Sequence, residues 1–154
     1  MLGNDIGSAG WPAGGEIDIM ENIGKEPAMI HGSMHGPGYS GNTPLTSTYK
    51  LSSGARFADD FHVYGITWSA EAVVFAVDGK EYYRVTPQSL PPGTKWVYDH
   101  PFFLLLNVAV GGRWPGNPDE TSTFPQTMLV DWVRVYQLKP DREIPPSSSS
   151  PKAP

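Results

Sequence analysis

The sequence contains no cysteine. That excludes a disulfide-stapled scaffold and any thiolate-held metal, though not export from the cell. No apolar run approaches the roughly 18 residues of a membrane-spanning helix, and no signal peptide opens the sequence. A secreted protein would carry that signal upstream. Basic residues are few: 11 Lys and Arg stand against 16 Asp and Glu, for a net charge of -5. With no basic stripe either, nucleic acid and anionic membrane are poor partners. No segment holds a helical apolar period over three turns, and no internal repeat is visible.

What is abundant is aromatic residues, at 12%, with 17 glycines and 16 prolines. In a chain of 154 residues this is the composition of a turn-rich domain that can bury a real core. Short alternating runs recur at Glu16 to Glu21, Met29 to His35, Phe61 to Trp68, Ala72 to Val77, Phe102 to Val110 and Met128 to Tyr136. Each has strand length and is bounded by turn formers. Asp78-Gly79 between two such runs predicts a two-residue hairpin. The class is all-β, with antiparallel strands in two packed sheets or a barrel. Phe102 to Leu106 is apolar at every position, which predicts a strand buried on both faces in the middle of a sheet. Trp68, Trp96 and Trp132 are expected in packing. Residues 139–154, rich in Pro and Ser, read as a linker or disordered tail that hints at a lost C-terminal module. Residues 1–138 form the domain.

The chemistry sits in Gly15-Glu16-Ile17-Asp18-Ile19-Met20-Glu21-Asn22. Along a strand Glu16 and Asp18 face one way while Ile17 and Ile19 face the core. Glu21 is out of phase, and a one-residue bulge near Met20 would return it to the acidic face. Three like charges on one face repel one another, a cost that implies use or neutralisation. A pair of carboxylates can cleave a glycosidic bond, at about 5–5.5 Å separation with retention and about 6.5–9.5 Å with inversion. The ideal-strand distance from Glu16 to Glu21, about 13–17 Å at roughly 3.3 Å per residue, must shrink for either. The plain alternative is an amphipathic strand with a solvated acidic face.

This strand resembles the active-site strand of glycoside hydrolase family 16, in its laminarinase-type branch. Further blocks resemble the same family in the same order: Asp5-Ile6-Gly7 through Ala13, His35 through Gly41, Phe61 through Trp68, Phe102 through Gly112, and Val130 through Tyr136. The resemblance implies a concanavalin A-like β-jelly-roll sandwich with a cleft on its concave face. It also implies that this chain is the C-terminal two-thirds of such a domain, with N-terminal strands missing. Gly14, where the branch often has Cys, and Val97-Tyr98, where Pro-Phe is usual, depart from the pattern without touching the catalytic strand.

Carried across residue by residue, the resemblance makes Glu16 the nucleophile, Glu21 the acid/base and Asp18 the residue that tunes them. The implied activity is retaining hydrolysis of internal β-1,3 (or mixed β-1,3/1,4) bonds in a glucan such as laminarin, by a secreted enzyme. No cofactor is required. Trp11 and Trp114 are candidates to stack on sugar faces; His35 and Asn107 are candidates to meet sugar hydroxyls. Asp131 matches a position that often helps to bind a structural calcium, whose other ligands would come partly from upstream residues. Two alternatives remain: a non-catalytic β-glucan-binding module, whose examples typically lose the glutamates, and a hydrolase of another polysaccharide such as a red-algal galactan. The extra residue at Met20 argues against lichenase-type members, whose acids alternate strictly.

Overall fold

The computed structural model describes residues 1–52 and 54–137. The expected linker at 139–154 lies outside the described residues. The chain divides into two units, Met1–Thr123 and Phe124 onward.

The first unit is the antiparallel all-β assembly that the alternating runs predict. Its strands are β1 (Leu2–Gly3), β2 (Glu16–Glu21), β3 (Met29–His35), β4 (Leu45–Lys50), β5 (Tyr64–Trp68), β6 (Val73–Val77), β7 (Lys80–Val85) and β8 (Phe102–Phe103). One helical turn, α1 (Ile6–Ala9), precedes β2. One sheet runs β4-β3-β2-β1-β8, and a three-stranded sheet runs β5-β6-β7. The two face each other across a shared core. Ile17 and Met34 from the first sheet meet Val73, Phe75 and Val85 from the second, with Tyr39 and Tyr98 sealing the cluster. A second cluster joins Ile30, Phe57 and Val77. Of the two isoleucines expected to point inward from the carboxylate strand, Ile17 is fully buried and Ile19 is partly buried against the same cluster.

Local chemistry explains the strand ends. β6 and β7 close through Asp78 and Gly79, both at positive φ (51° and 77°), the conformation of the tight hairpin that this dipeptide favours. Gly32 lies in the middle of β3, where a Cβ would come within 2.8 Å of the Phe75 ring and would also strike the Tyr82 hydroxyl. Its missing side chain lets the second sheet close against the back of β3. The strand Leu45–Lys50 was not among the predicted runs. Only Leu45 and Tyr49 are large and apolar there, and the strand forms because β3 offers it six paired positions, Met29↔Lys50 through Met34↔Leu45.

Two predicted strands are corrected. Phe102 to Val110 yields only Phe102–Phe103, and Leu104, Leu105, Leu106, Val108 and Val110 are exposed rather than central and buried. A strand forms only where a ladder partner stands beside it, and among the described residues the ladder to β1 covers just Leu2↔Phe103 and Gly3↔Phe102. In the second unit, Met128 to Tyr136 likewise forms no strand, and Val135 is 83% exposed. Trp132, expected in packing, is exposed beneath the Arg134 guanidinium at 4.3 Å. Trp68 is also partly exposed, although its indole N–H donates to the Tyr98 carbonyl (2.6 Å) and its ring meets Phe102 edge-on. Trp96 packs as expected, edge-on to Tyr98.

Because Ile17 ties the acidic strand to the inter-sheet core, Ile17→Ala is expected to destabilise the chain by about 2–5 kcal/mol, the usual range for a buried Ile-to-Ala truncation. Urea unfolding followed by tryptophan fluorescence checks it, and a midpoint equal to wild type would contradict this placement of the core.

Candidate active site

Strand β2 pairs with β3 so that Glu16 opposes His35, Ile17 opposes Met34 and Asp18 opposes Ser33. Unbroken pairing would then set Glu21 against Ile30. It instead opposes His31, with the register shifting between Asp18 and Glu21. One extra residue in β2 makes the bulge that the out-of-phase Glu21 predicted. The consequence is a polar face on which every acid meets a polar partner across the ladder: Glu16 with His35, Asp18 with Ser33, Glu21 with His31.

The cluster's contacts differ from one acid to the next. The Trp11 indole N–H donates to Glu16 Oε2 at 2.6 Å. Burial raises the Glu16 pKa above the ordinary glutamate value, and the neighbouring Asp18 charge raises it further; the Trp11 bond and His35 oppose them. Glu21 is also raised, by burial first and Asp18 second, against the hydrogen bond from Ser33 and the charges of His35 and His31. Ser33 Oγ donates to Glu21 Oε2 at 3.0 Å.

His35 Nε2 stands 3.2 Å from Asp18 Oδ2. The N–H is poorly aimed, so this buried oxygen has no well-aligned donor. The other ring nitrogen identifies the tautomer. The Gly41 backbone N–H donates to His35 Nδ1 (3.2 Å), so Nδ1 is the acceptor and the proton of the neutral ring sits on Nε2, toward Asp18. Burial alone would lower the His35 pKa. The close approach of the Asp18 carboxylate, with the charges of Asp18, Glu16 and Glu21, outweighs it and raises the value.

Both candidate stacking tryptophans lie beside this face, at opposite ends. Trp11 is 51% exposed and its ring lies 5.9 Å from that of His35, at the Glu16 end. Trp114 is 43% exposed. Its ring meets His31 edge-on at 4.8 Å, and its carbonyl accepts from Lys25 Nζ at 2.8 Å. That puts Trp114 at the Glu21 end. Asn107 is not brought to this cluster by any contact among the described residues, and it stands in the exposed stretch after β8, where no strand forms for it to close. Ser33, Thr46, His31 and Gly41 belong to the site but were not singled out from sequence. The same period-2 pattern that marked β2 runs through β3, where His31, Ser33 and His35 alternate with Ile30, Gly32 and Met34.

Among the described residues one group could gather a cation: Glu16, Asp18 and His35, with ligand atoms within 4.8 Å of one another. Within it, Trp11 bonds Glu16 and the His35 ring stands 3.2 Å from Asp18. Asp131 lies in the second unit and is not in this group. It is the sole acid between residues 124 and 137, short of the six to eight oxygens that calcium takes. A hollow of about 500 Å³ is lined by residues including Trp68, Tyr98, His100 and Phe102 and does not include the acids.

A two-sheet β-sandwich with a cluster of carboxylates on one strand and an exposed tryptophan at each end has the equipment of a polysaccharide-acting protein. The profile of Glycosyl hydrolases family 16 matches residues 5–134, and the chain belongs to that family. The endo-β-1,3-glucanase of Pyrococcus furiosus is similar in structure, with a TM-score of 0.78 and 52% identity over 80% of this chain and 48% of that one. The laminarinase catalytic domain of Thermotoga maritima is similar with a TM-score of 0.77 and 50% identity, over 80% of this chain and 50% of its own. The β-glucanase of Rhodothermus marinus is 38% identical over 138 residues, 85% of this chain and 47% of the relative. The chain spans about half the length of these relatives.

Two predictions follow from the Glu16 surroundings. Trp11→Phe keeps an aromatic ring but loses the N–H, so the Glu16 carboxyl should titrate at higher pH, read by carbon NMR of the side-chain carboxyl. The second concerns stability. The folded-state pKa of Glu16 is raised, so its favourable contribution is present below the ordinary glutamate pKa and is lost as pH rises through the folded value. Glu16→Gln is neutral throughout and should melt above wild type at neutral pH, with the gap closing in acid. A gap independent of pH would contradict the raised value.

Proposed function

We propose that this chain supplies the catalytic acids of a secreted, endo-acting, retaining β-1,3-glucanase whose substrates are laminarin-like or mixed β-1,3/1,4 glucans. The observation that carries this reading is the bulge in β2, which returns Glu21 to the face that bears Glu16 and Asp18. Family membership and the glucanases among its relatives support the substrate class.

In this reading Glu16, steadied as a carboxylate by the Trp11 N–H, attacks the anomeric carbon. The bond from that carbon to the leaving oxygen breaks as Glu21 delivers its proton to that oxygen. The product is a glycosyl ester on Glu16. Water then attacks the same carbon, its proton passes to Glu21, and Glu16 leaves as a carboxylate. Asp18 sits between the two glutamates, where its charge raises both pKa values. That helps Glu21 to start protonated, while His35 faces Asp18 and limits the repulsion. Trp11 and Trp114 would hold sugar rings on either side of the scissile bond.

A binding module on the same sandwich would keep the tryptophans and gain nothing from three half-buried acids that repel one another. That cost favours catalysis. No observation favours a galactan over a glucan.

Glu21→Gln should lower kcat on laminarin by about 10²–10⁴-fold, the usual worth of general acid–base catalysis, and Glu16→Gln should abolish turnover. Affinity for the polysaccharide should survive in both. Reducing-sugar release from laminarin, lichenan and agarose measures the first effect, and affinity electrophoresis the second. Full activity in Glu16→Gln would overturn the catalytic assignment, and activity on agarose alone would overturn the glucan assignment.

A further inference from the structure

Ser33 is a buried hydroxyl, 3% exposed, on the strand next to the acids. A buried hydroxyl is costly unless it is bonded, and nothing in its packing demands one. Its Oγ has two close partners: Glu21 Oε2 at 3.0 Å and Thr46 Oγ1 at 3.0 Å. Thr46 is the residue opposite Ser33 on β4. A serine carries a single hydroxyl proton. A Glu21 carboxylate oxygen can only accept, so the Ser33 proton goes to Glu21, and Thr46 must donate to Ser33. The chain of bonds therefore has one direction, from Thr46 through Ser33 to Glu21 Oε2. Among the described residues no hydrogen bond reaches Glu21 Oε1.

We propose that Ser33 is a positioning residue for proton transfer: backed by Thr46, it pins Glu21 Oε2 as an acceptor and leaves Oε1 as the oxygen that carries the proton to the leaving group. The inference deepens the reading of Glu21 as the acid/base and rests on it. A glutamic acid with two equivalent oxygens presents its proton correctly only part of the time, whereas one with a fixed acceptor oxygen presents it from the other. The same bond favours the ionised form and so moderates the rise caused by burial and by Asp18. Without it, the Glu21 pKa would rise further. The charged and titratable groups facing Glu21 are Asp18 on its own strand and His31 and His35 on β3. From β4 the group that reaches it, through Ser33, is the uncharged Thr46.

The test is a carbon NMR titration of the Glu21 carboxyl in the 154-residue chain, which needs no activity. Ser33→Ala should raise the Glu21 pKa, Ser33→Thr should restore it, and Thr46→Val should raise it by less than Ser33→Ala. In a laminarin-hydrolysing form, the alkaline limb of the kcat/KM profile should move up with Ser33→Ala and return with Ser33→Thr. Near-UV circular dichroism matching wild type excludes a folding defect in Ser33→Ala; if it differs, Thr46→Val carries the test alone. An unchanged or lowered Glu21 pKa in the folded variants overturns the proposal while leaving Glu21 as acid/base untouched. Full laminarin turnover by Glu21→Gln overturns that underlying reading instead.

Discussion

Three carboxylates gathered on one strand face repel one another, and the architecture of the first unit is what holds them there. The opposing force comes from the other side of the same strand. Ile17 points into the core between the sheets and meets Met34, Phe75 and Val85, so moving Glu16 or Asp18 outward would pull an isoleucine into water. Burying one such side chain is worth about 1.5–3 kcal/mol, comparable to the repulsion a pair of partly screened charges generates near a protein surface. The bulge completes the arrangement. Without the bulge, strict alternation would turn that carboxylate toward the core opposite Ile30.

Much of this was legible in the residues because the acid spacing contains its own inconsistency. Glu16 and Asp18 obey alternation and Glu21 breaks it, so either the third acid is irrelevant or the strand bulges. The hairpin at Asp78-Gly79 was legible for a similar reason, since few dipeptides accept positive φ twice in succession. The errors have one physical origin: a sequence states what a segment could pair with, not whether a partner is there. Phe102 to Val110 is as strand-like as any stretch in the chain, yet among the described residues it pairs with β1 only at Phe102 and Phe103. Leu45 to Lys50 is a poor strand by composition and forms because β3 stands beside it. Ser33 and His31 escaped notice because a serine or histidine becomes informative only once the register shows which acid it faces.

The tryptophan at the start of the acidic strand does two jobs with different parts of its ring system. Its N–H is spent on Glu16, which fixes the orientation of the indole. Its face remains half open, and that is the part a sugar ring would use. Trp114 is held through its own carbonyl by Lys25 and through its ring by His31, and among the described residues its indole makes no such bond to an acid.

The hydrogen-bond partners of the two glutamates also explain how one cluster can support opposite protonation states. Burial and Asp18 push both upward, so position alone would make them alike. What differs is the donor: an indole N–H at 2.6 Å on Glu16 and a relayed hydroxyl at 3.0 Å on Glu21. The indole cannot accept a proton, so its bond persists only while Glu16 Oε2 stays unprotonated. Ser33 donates to Oε2, so in the proposed reading Glu21 gains and loses its proton at Oε1 while that bond stays in place. A nucleophile must remain a carboxylate until it bonds to carbon, whereas an acid/base must change state twice in each cycle. In the proposed reading the Trp11 N–H steadies the first and the Ser33 hydroxyl orients the second, each through one oxygen of its glutamate.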